Sequence, residues 1–153
     1  MDKEKSIDAL NKLIEINNDR IEGYETASKE TDESELKTLF SKFSQTSQKC
    51  KHELVSEVQK LGGKPMEGTK TSGKFFRAWM DVKAALTRKD REAILNSCEF
   101  GEDQAVDTYK NVLKDNTEDL DSMQQTMVKA QLVLIKADHD HVKEMRDMLA
   151  VNK

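Results

Sequence analysis

One apolar stripe with a carboxylate inside it constrains this chain more than any other feature. The stretch Ala93–Leu113 reads AILNSCEFGEDQAVDTYKNVL, and its apolar residues recur every three or four positions. That period is typical of a helix with one buried face. Followed along the helix, the stripe places Glu102 on the buried face, between Cys98 and Ala105. Because an unpaired buried carboxylate is costly, we expect Glu102 to face a cation, a metal or a hydrogen-bond donor, or else to hold a proton.

The same period continues through most of the 153 residues. It predicts four long helices at about residues 7–29, 33–61, 88–115 and 118–150, and a crossover over 62–87 that contains a short helix at about 74–86. The outer turns are short and the middle connection is long. The sequence therefore predicts one all-α domain over 1–153, a ferritin-like four-helix bundle of two antiparallel hairpins joined by a long crossover.

Local signals predict where the helices begin and which face each one buries. Ser6 and Thr87 are the expected N-caps of the first and third long helices. The first helix carries the polar Asn17 on its buried side. On the fourth helix, the spacing predicts a buried face made of Leu120, Met123, Met127, Gln131, Leu134, Asp138, His141, Met145 and Met148.

Composition limits the kinds of molecule that the protein is expected to bind. The net charge is −4 with both signs interspersed, so there is no clustered basic face for nucleic acid. No apolar run approaches the length of a membrane span or forms the core of a signal peptide. Cys50 and Cys98 lie on apolar stripes without a CxxC spacing, so we expect reduced core thiols. The sequence predicts a cytoplasmic protein that binds neither nucleic acid nor membrane, and a homodimer is possible.

The inward ionisable groups leave two interpretations open. Asp138 and His141 are three residues apart on one helix face, and with Glu102 they make half of a ferritin-like di-iron site. Iron or manganese would suit these donors. The first hairpin offers no matching Glu-x-x-His pair. We therefore favour a structural hydrogen-bonded cluster without a cofactor, made of Asn17, Tyr24, Glu102, Tyr109 and His141.

Two other features have a structural and a functional interpretation. His139 lies two positions from His141, so the two side chains point to different sides of a helix and His139 is expected at the surface. In the crossover, Phe75, Phe76 and Trp79 form an aromatic cluster in a chain with few aromatics. These rings either pack on the bundle or form a docking surface for a protein partner.

Four short motifs follow one another along the chain. They are Ile21-Glu22-Gly23-Tyr24, Leu61-Gly62-Gly63-Lys64-Pro65, Trp79-Met80-Asp81-Val82-Lys83 and Cys98-Glu99-Phe100-Gly101-Glu102-Asp103. In this order they resemble a bacterial family of ferritin-like four-helix-bundle proteins catalogued as a domain of unknown function. The resemblance implies a ferritin-like bundle in a bacterial cytosol, with Tyr24 and Glu102 as family positions, and it carries no established activity or cofactor.

These observations favour a non-enzymatic bundle of unknown function with a structural, stress-related or interaction role. The alternative is a metal-binding oxidase or iron-handling protein that uses Glu102, Asp138 and His141 as ligands.

Overall fold

The computed structural model describes residues 2–69 and 74–151, with the backbone alone for 74–76, 150 and 151. The described residues form five α-helices and one short 3-10 helix, and none of them lies in a strand. The all-α prediction is therefore confirmed. The helices are α1 (Lys3–Glu30), α2 (Ser34–Lys60), α3 (Lys74–Arg88), α4 (Arg91–Asp115) and α5 (Ser122–Val151), with the 3-10 helix Thr117–Asp119 before α5.

Two of the expected N-caps are wrong. The α1 cap is Asp2, whose Oδ1 accepts from the Glu4 amide at 2.9 Å, so α1 begins earlier than predicted. The α4 cap is Asp90, whose side chain accepts from the Ala93 amide at 3.1 Å. Thr87 instead lies inside α3, where its hydroxyl donates to the Lys83 carbonyl. Aspartate is as favourable an N-cap as serine, and its carboxylate also interacts favourably with the helix dipole.

The helices pack as two hairpins with a helix at their side. The main contacts are α1 with α2 and α4 with α5, and α3 packs against α4 and α1. Smaller contacts join α1 to α4 and α2 to α5. The short turns at 31–33 and 116–121 make each hairpin antiparallel, as the sequence predicts.

The crossover between α2 and α3 is tied to α1 by asparagines. Gly62 has φ +79°, the left-handed conformation that commonly ends a helix. Beyond it, Asn11 donates to the Lys64 carbonyl at 3.1 Å and accepts from the Met66 amide at 2.7 Å. Asn18 donates to the Gly68 carbonyl at 2.9 Å. The loop therefore covers one side of α1, and five consecutive α1 residues, 16–20, are buried.

Trp79 on α3 packs directly onto the α1 backbone at Gly23. A β-carbon added at Gly23 would lie 2.2 Å from Trp79 Cε2, so only glycine permits this approach. The indole also makes an edge contact with the Tyr24 ring, with centroids 4.7 Å apart. Two of the four sequence motifs thus meet in space. The expected partners Phe75 and Phe76 have side chains outside the described part of the chain.

The predicted buried face of α5 is partly wrong. Three of its members are exposed, with relative exposures of 83% for Met123, 37% for Leu134 and 57% for Met148. The residues that the core encloses follow alternating steps of four and three, and they are Gln124, Val128, Gln131, Ile135, Asp138 and Val142. Polar residues occupy this face because other helices supply their hydrogen-bond partners.

Other expectations agree with the structure. Cys50 and Cys98 are free and buried. Within the described ranges, no helix combines the length and the apolar character that crossing a bilayer requires.

Candidate functional site

Arg20 is the centre of a buried ionic cluster to which the four long helices contribute. Its Nε donates to Glu102 Oε2 at 3.1 Å and its Nη2 to Glu102 Oε1 at 2.7 Å, which makes a bidentate pair. Nη2 also donates to Asp138 Oδ2 at 3.1 Å, and Nη1 donates to the Ser47 hydroxyl at 2.6 Å. We call Arg20, Ser47, Glu102 and Asp138 the charged layer.

Burial strengthens the interactions between the charges of this layer, because solvent does not screen them. The side chains of Arg20 and Glu102 have no exposed surface. Burial by itself would lower the pKa of Arg20, but the charge of Glu102, its hydrogen bond and the contributions of Tyr24 and Asp138 together outweigh this effect, so the pKa is raised and the guanidinium stays charged. Glu102 thus has the cation that its position in the apolar stripe requires.

Tyr24 completes the environment of Glu102. Its hydroxyl donates to Glu102 Oε1 at 2.5 Å, and the Arg20 guanidinium lies 5.4 Å from the centre of its ring. Burial raises the pKa of Tyr24, and the charge of Glu102 raises it further. The phenol therefore stays protonated and serves as a hydrogen-bond donor.

Asp138 is the member of the layer with the least compensation. Burial raises its pKa above the usual range, the charge of Arg20 opposes this rise, and the charge of Glu102 adds to it. Two carboxylates share one guanidinium, so the layer carries a formal charge of −1 when both are ionised. A proton on Asp138 would remove that excess charge.

A second buried layer lies nearby and is made of three uncharged side chains. The Asn17 amide donates to the Tyr109 hydroxyl at 2.8 Å, which in turn donates to Gln131 Oε1 at 2.7 Å. The Gln131 amide then donates to Glu53 at 3.0 Å and to the Cys50 carbonyl at 3.3 Å. We call Asn17, Tyr109 and Gln131 the neutral layer.

The two layers fix the direction of each long helix. α1 and α5 pass from the neutral layer to the charged layer, through Asn17 then Arg20 and through Gln131 then Asp138. α2 and α4 run the opposite way, since their charged-layer residues precede their neutral-layer contacts. α2 and α4 are therefore parallel, which a long crossover between them permits.

The charged layer also divides the hydrophobic core. One apolar cluster contains Leu10, Leu13, Leu54, Val112 and Ile135. The other contains Phe40, Phe43, Ile94, Leu95 and Val142. Along every long helix, the charged-layer residue falls between the members of the two clusters.

His141 lies apart from Glu102 and Asp138, the other two predicted metal ligands. Its ring makes an edge contact with Phe43 at 6.2 Å between centroids, and it lines a groove between α2 and α5 with Leu39 and Met145. Among the described residues, nothing links it to Glu102 or Asp138 by a hydrogen bond. Because Arg20 holds both Glu102 oxygens and one Asp138 oxygen, a core metal would have to displace the guanidinium. The core metal site stays a prediction.

His139 is more enclosed than a simple surface residue. Its side chain is 16% exposed, and it contacts Asp103 and Asp140. Glu99 lies close enough to join Asp103 and His139 around one ion. We call Glu99, Asp103 and His139 the surface triad. Sequence reasoning missed it because Glu99 and Asp103 belong to α4 and His139 to α5.

The buried thiols are held in their neutral form. Burial raises the pKa of Cys50 to about 11. Burial also raises the pKa of Cys98, with the charge of Glu102 as a second cause. Because the thiolate is the reactive form, neither position favours a nucleophilic cysteine.

These features define an all-α protein whose core is divided by an arginine–carboxylate layer. The chain belongs to the family described as Domain of unknown function (DUF2383), which matches residues 5–115. The matched range contains Arg20, Tyr24, Ser47 and Glu102, whereas Asp138 and the rest of α5 follow it. No curated protein matches the sequence.

Proposed function

We propose that this chain is a ferritin-like four-helix bundle with a non-enzymatic, structural or interaction role, in which Arg20 takes the place of a core metal. The observation that carries the proposal is the bonding of one guanidinium to both Glu102 oxygens and to Asp138. A guanidinium satisfies facing carboxylates without a metal, and its planar geometry matches a carboxylate in a bidentate pair.

The directions of the helices support the ferritin-like arrangement. Two antiparallel hairpins lie side by side, and the helices joined by the long crossover run parallel, as in a bundle with one crossover connection. The extra helix α3 belongs to that crossover and packs on the side formed by α1 and α4.

Burial of the charged layer supports a role without catalysis. A general acid or base must come within hydrogen-bond reach of the substrate. Arg20 and Glu102 are fully buried and bonded to one another, and the buried Tyr24 is bonded to Glu102. These contacts suit a group that fixes the register of four helices better than a group that transfers protons to a ligand.

Metal content is the direct test. Protein purified without chelator or affinity metal is re-equilibrated with ferrous iron and with manganese, and bound metal is measured by mass spectrometry. Glu102→Gln is compared with wild type, and Glu22→Gln, at an exposed position on α1, is the matched control. We expect any bound metal to be unaffected by Glu102→Gln. Stoichiometric metal that is lost in this variant, with helicity retained and the control unchanged, would establish the iron or manganese alternative instead.

The interaction role includes self-association as a homodimer. In its support, the outer face of α5 exposes apolar side chains, with Met123 83% and Val133 68% exposed. Sedimentation equilibrium of wild type and of Val133→Lys would test it. A monomer at every concentration would rule out the homodimer.

A further inference from the structure

We propose that the surface triad of Glu99, Asp103 and His139 binds a divalent transition-metal ion of the Zn²⁺ class, at a site separate from the charged layer. Glu99 and Asp103 are four residues apart on α4, so they share one face, and His139 faces them from α5. One ligand atom from each residue lies within 4.8 Å of the others. The three donors thus come from two helices that pack directly on one another.

Both ring nitrogens of the His139 imidazole face carboxylate oxygens. His139 Nδ1 lies 3.0 Å from Asp140 Oδ1, and Nε2 lies 2.6 Å from Asp103 Oδ1. If Nδ1 donates its proton to Asp140, the lone pair of Nε2 faces a carboxylate oxygen. In this tautomer the two acceptors repel each other at 2.6 Å. A second proton between them, or a metal ion bound by both at a longer separation, would remove the repulsion. A carboxylate behind the non-ligating nitrogen is also the usual support of a metal-binding histidine.

A hydrogen bond from a neighbouring side chain also holds Glu99 in position. The Arg146 guanidinium donates to Glu99 Oε2, and within the described part of the chain no hydrogen bond engages Oε1, which could serve as a ligand. Hydrogen bonds of this kind orient ligating carboxylates. With neutral His139, the carboxylates of Glu99, Asp103, Asp140 and Asp147, which also pairs with Arg146, outweigh the charge of Arg146 by three. A divalent ion would offset most of this excess.

The donor set and its exposure select the class of ion. One imidazole nitrogen and two carboxylate oxygens suit Zn²⁺ and similar transition metals, whereas Mg²⁺ and Ca²⁺ prefer oxygen alone. Around a tetrahedral zinc with ligand distances of about 2.0–2.2 Å, Nε2 and Oδ1 would separate to about 3.4 Å. The Asp103 side chain is 49% exposed, which leaves it room to make this adjustment. Three protein ligands also leave one coordination position open to water or to another donor.

The triad and the charged layer can be tested separately because adjacent residues of a helix point about 100° apart around its axis. Glu102 is fully buried next to the half-exposed Asp103, and Asp138 is 5% exposed next to His139. His141→Ala removes a histidine two positions away that belongs to the hypothetical core site. It is therefore the matched control for His139→Ala.

The experiment is a calorimetric titration of the chelator-treated 153-residue chain with Zn²⁺, at a pH where histidine is neutral. Wild type is compared with His139→Ala, Asp103→Asn, His141→Ala and Glu102→Gln, and circular dichroism checks that each variant is folded. We expect one ion per wild-type chain, with affinity at least about tenfold lower in His139→Ala and in Asp103→Asn. The affinity should stay unchanged in His141→Ala and in Glu102→Gln.

The other outcomes separate this inference from the proposed function. Without any binding by wild type, a proton and not a metal bridges His139 and Asp103, and the inference is overturned while the proposed function stands. Two ions per chain, one lost in His139→Ala and one in Glu102→Gln, would support the surface site and overturn the metal-free core. Binding that is lost only in Glu102→Gln or His141→Ala would overturn both.

Discussion

The charged layer and the neutral layer hold the long helices together by different kinds of contact. In the neutral layer, Asn17, Tyr109 and Gln131 form a chain of hydrogen bonds in which every group is uncharged. In the charged layer, one guanidinium compensates two carboxylates. Loss of a neutral partner leaves a polar group unpaired, whereas loss of Arg20 leaves buried charges.

The two layers also occupy different places in the core, which indicates that they have different structural roles. The neutral layer lies within one apolar cluster, where Tyr109 is itself a core residue. The charged layer lies between the two clusters and interrupts their packing. Replacing a buried ion pair by apolar residues is often neutral or stabilising, so its presence is weak evidence for stability. We infer that the charged layer mainly specifies the register of the helices.

The largest expected effect is that of Arg20→Met. This change leaves Glu102 and Asp138 without their cation, and breaking a buried pair in this way typically costs about 3–5 kcal/mol of the free energy of unfolding. The measurement is urea unfolding followed by circular dichroism. The control is Arg91→Met, since Arg91 also pairs with two carboxylates, Glu33 and Glu35, but is 29% exposed.

The Arg91 control should lose about 0–1 kcal/mol, because solvent screens surface pairs. A triple variant that makes Arg20, Glu102 and Asp138 all apolar should recover most of the stability lost in Arg20→Met. Equal losses in the two single variants would show that burial does not distinguish the charged layer from a surface pair.

The same substitution in each layer sharpens the comparison. Tyr24→Phe removes a hydrogen bond to the charged Glu102, and bonds of this kind are worth about 1.5–3 kcal/mol. Tyr109→Phe removes a neutral bond and leaves Gln131 Oε1 unpaired, which we expect to cost about 1–2 kcal/mol. Both changes keep the ring, so the difference in unfolding free energy reports the hydroxyl. A larger loss in Tyr109→Phe would reverse the ranking of the layers.

Much of the helical plan could be predicted from the sequence because it depends on local period and turns. The central position of Arg20 in the core could not be predicted from period and turns. By hydropathy alone, Ile21 is a better inward residue than the neighbouring Arg20, yet Ile21 is only partly buried and Arg20 is fully buried. The available signal was spacing, since Leu13, Asn17, Arg20 and Tyr24 follow steps of four, three and four. A buried glutamate without a visible partner was the second signal.

The α5 face was mispredicted for the same reason. Its methionines were assigned to the core because they are apolar, yet Met123 and Met148 are exposed. Gln124 lies inward instead, where its amide donates to Glu57 at 3.0 Å. A partner on another helix decides whether a polar residue can be buried, and a single helix stripe does not reveal that partner.

Gly23→Ala tests the packing that supports Tyr24 at the charged layer. Alanine favours helix by up to about 1 kcal/mol over glycine. Here its methyl group would overlap the Trp79 ring, and overpacking typically costs about 1–3 kcal/mol. We expect net destabilisation. Because Trp79 is the only tryptophan, its fluorescence should shift to the red as the ring moves outward. An unshifted spectrum with increased stability would show that α3 adjusts without cost.

Asp138→Asn should have the smallest effect at neutral pH, about 1 kcal/mol or less, because the amide oxygen can still accept from Arg20. Burial raises the pKa of Asp138 in the folded protein, and the charge of Glu102 contributes to the rise. The stability gained by protonation is fully present below the unfolded pKa of about 3.9 and is lost as the pH rises through the folded pKa. Wild type should therefore lose stability relative to Asp138→Asn as the pH rises over this range. Urea unfolding of both proteins across this pH range measures the difference, and a difference that grows in favour of wild type would mean that Arg20 compensates both carboxylates fully.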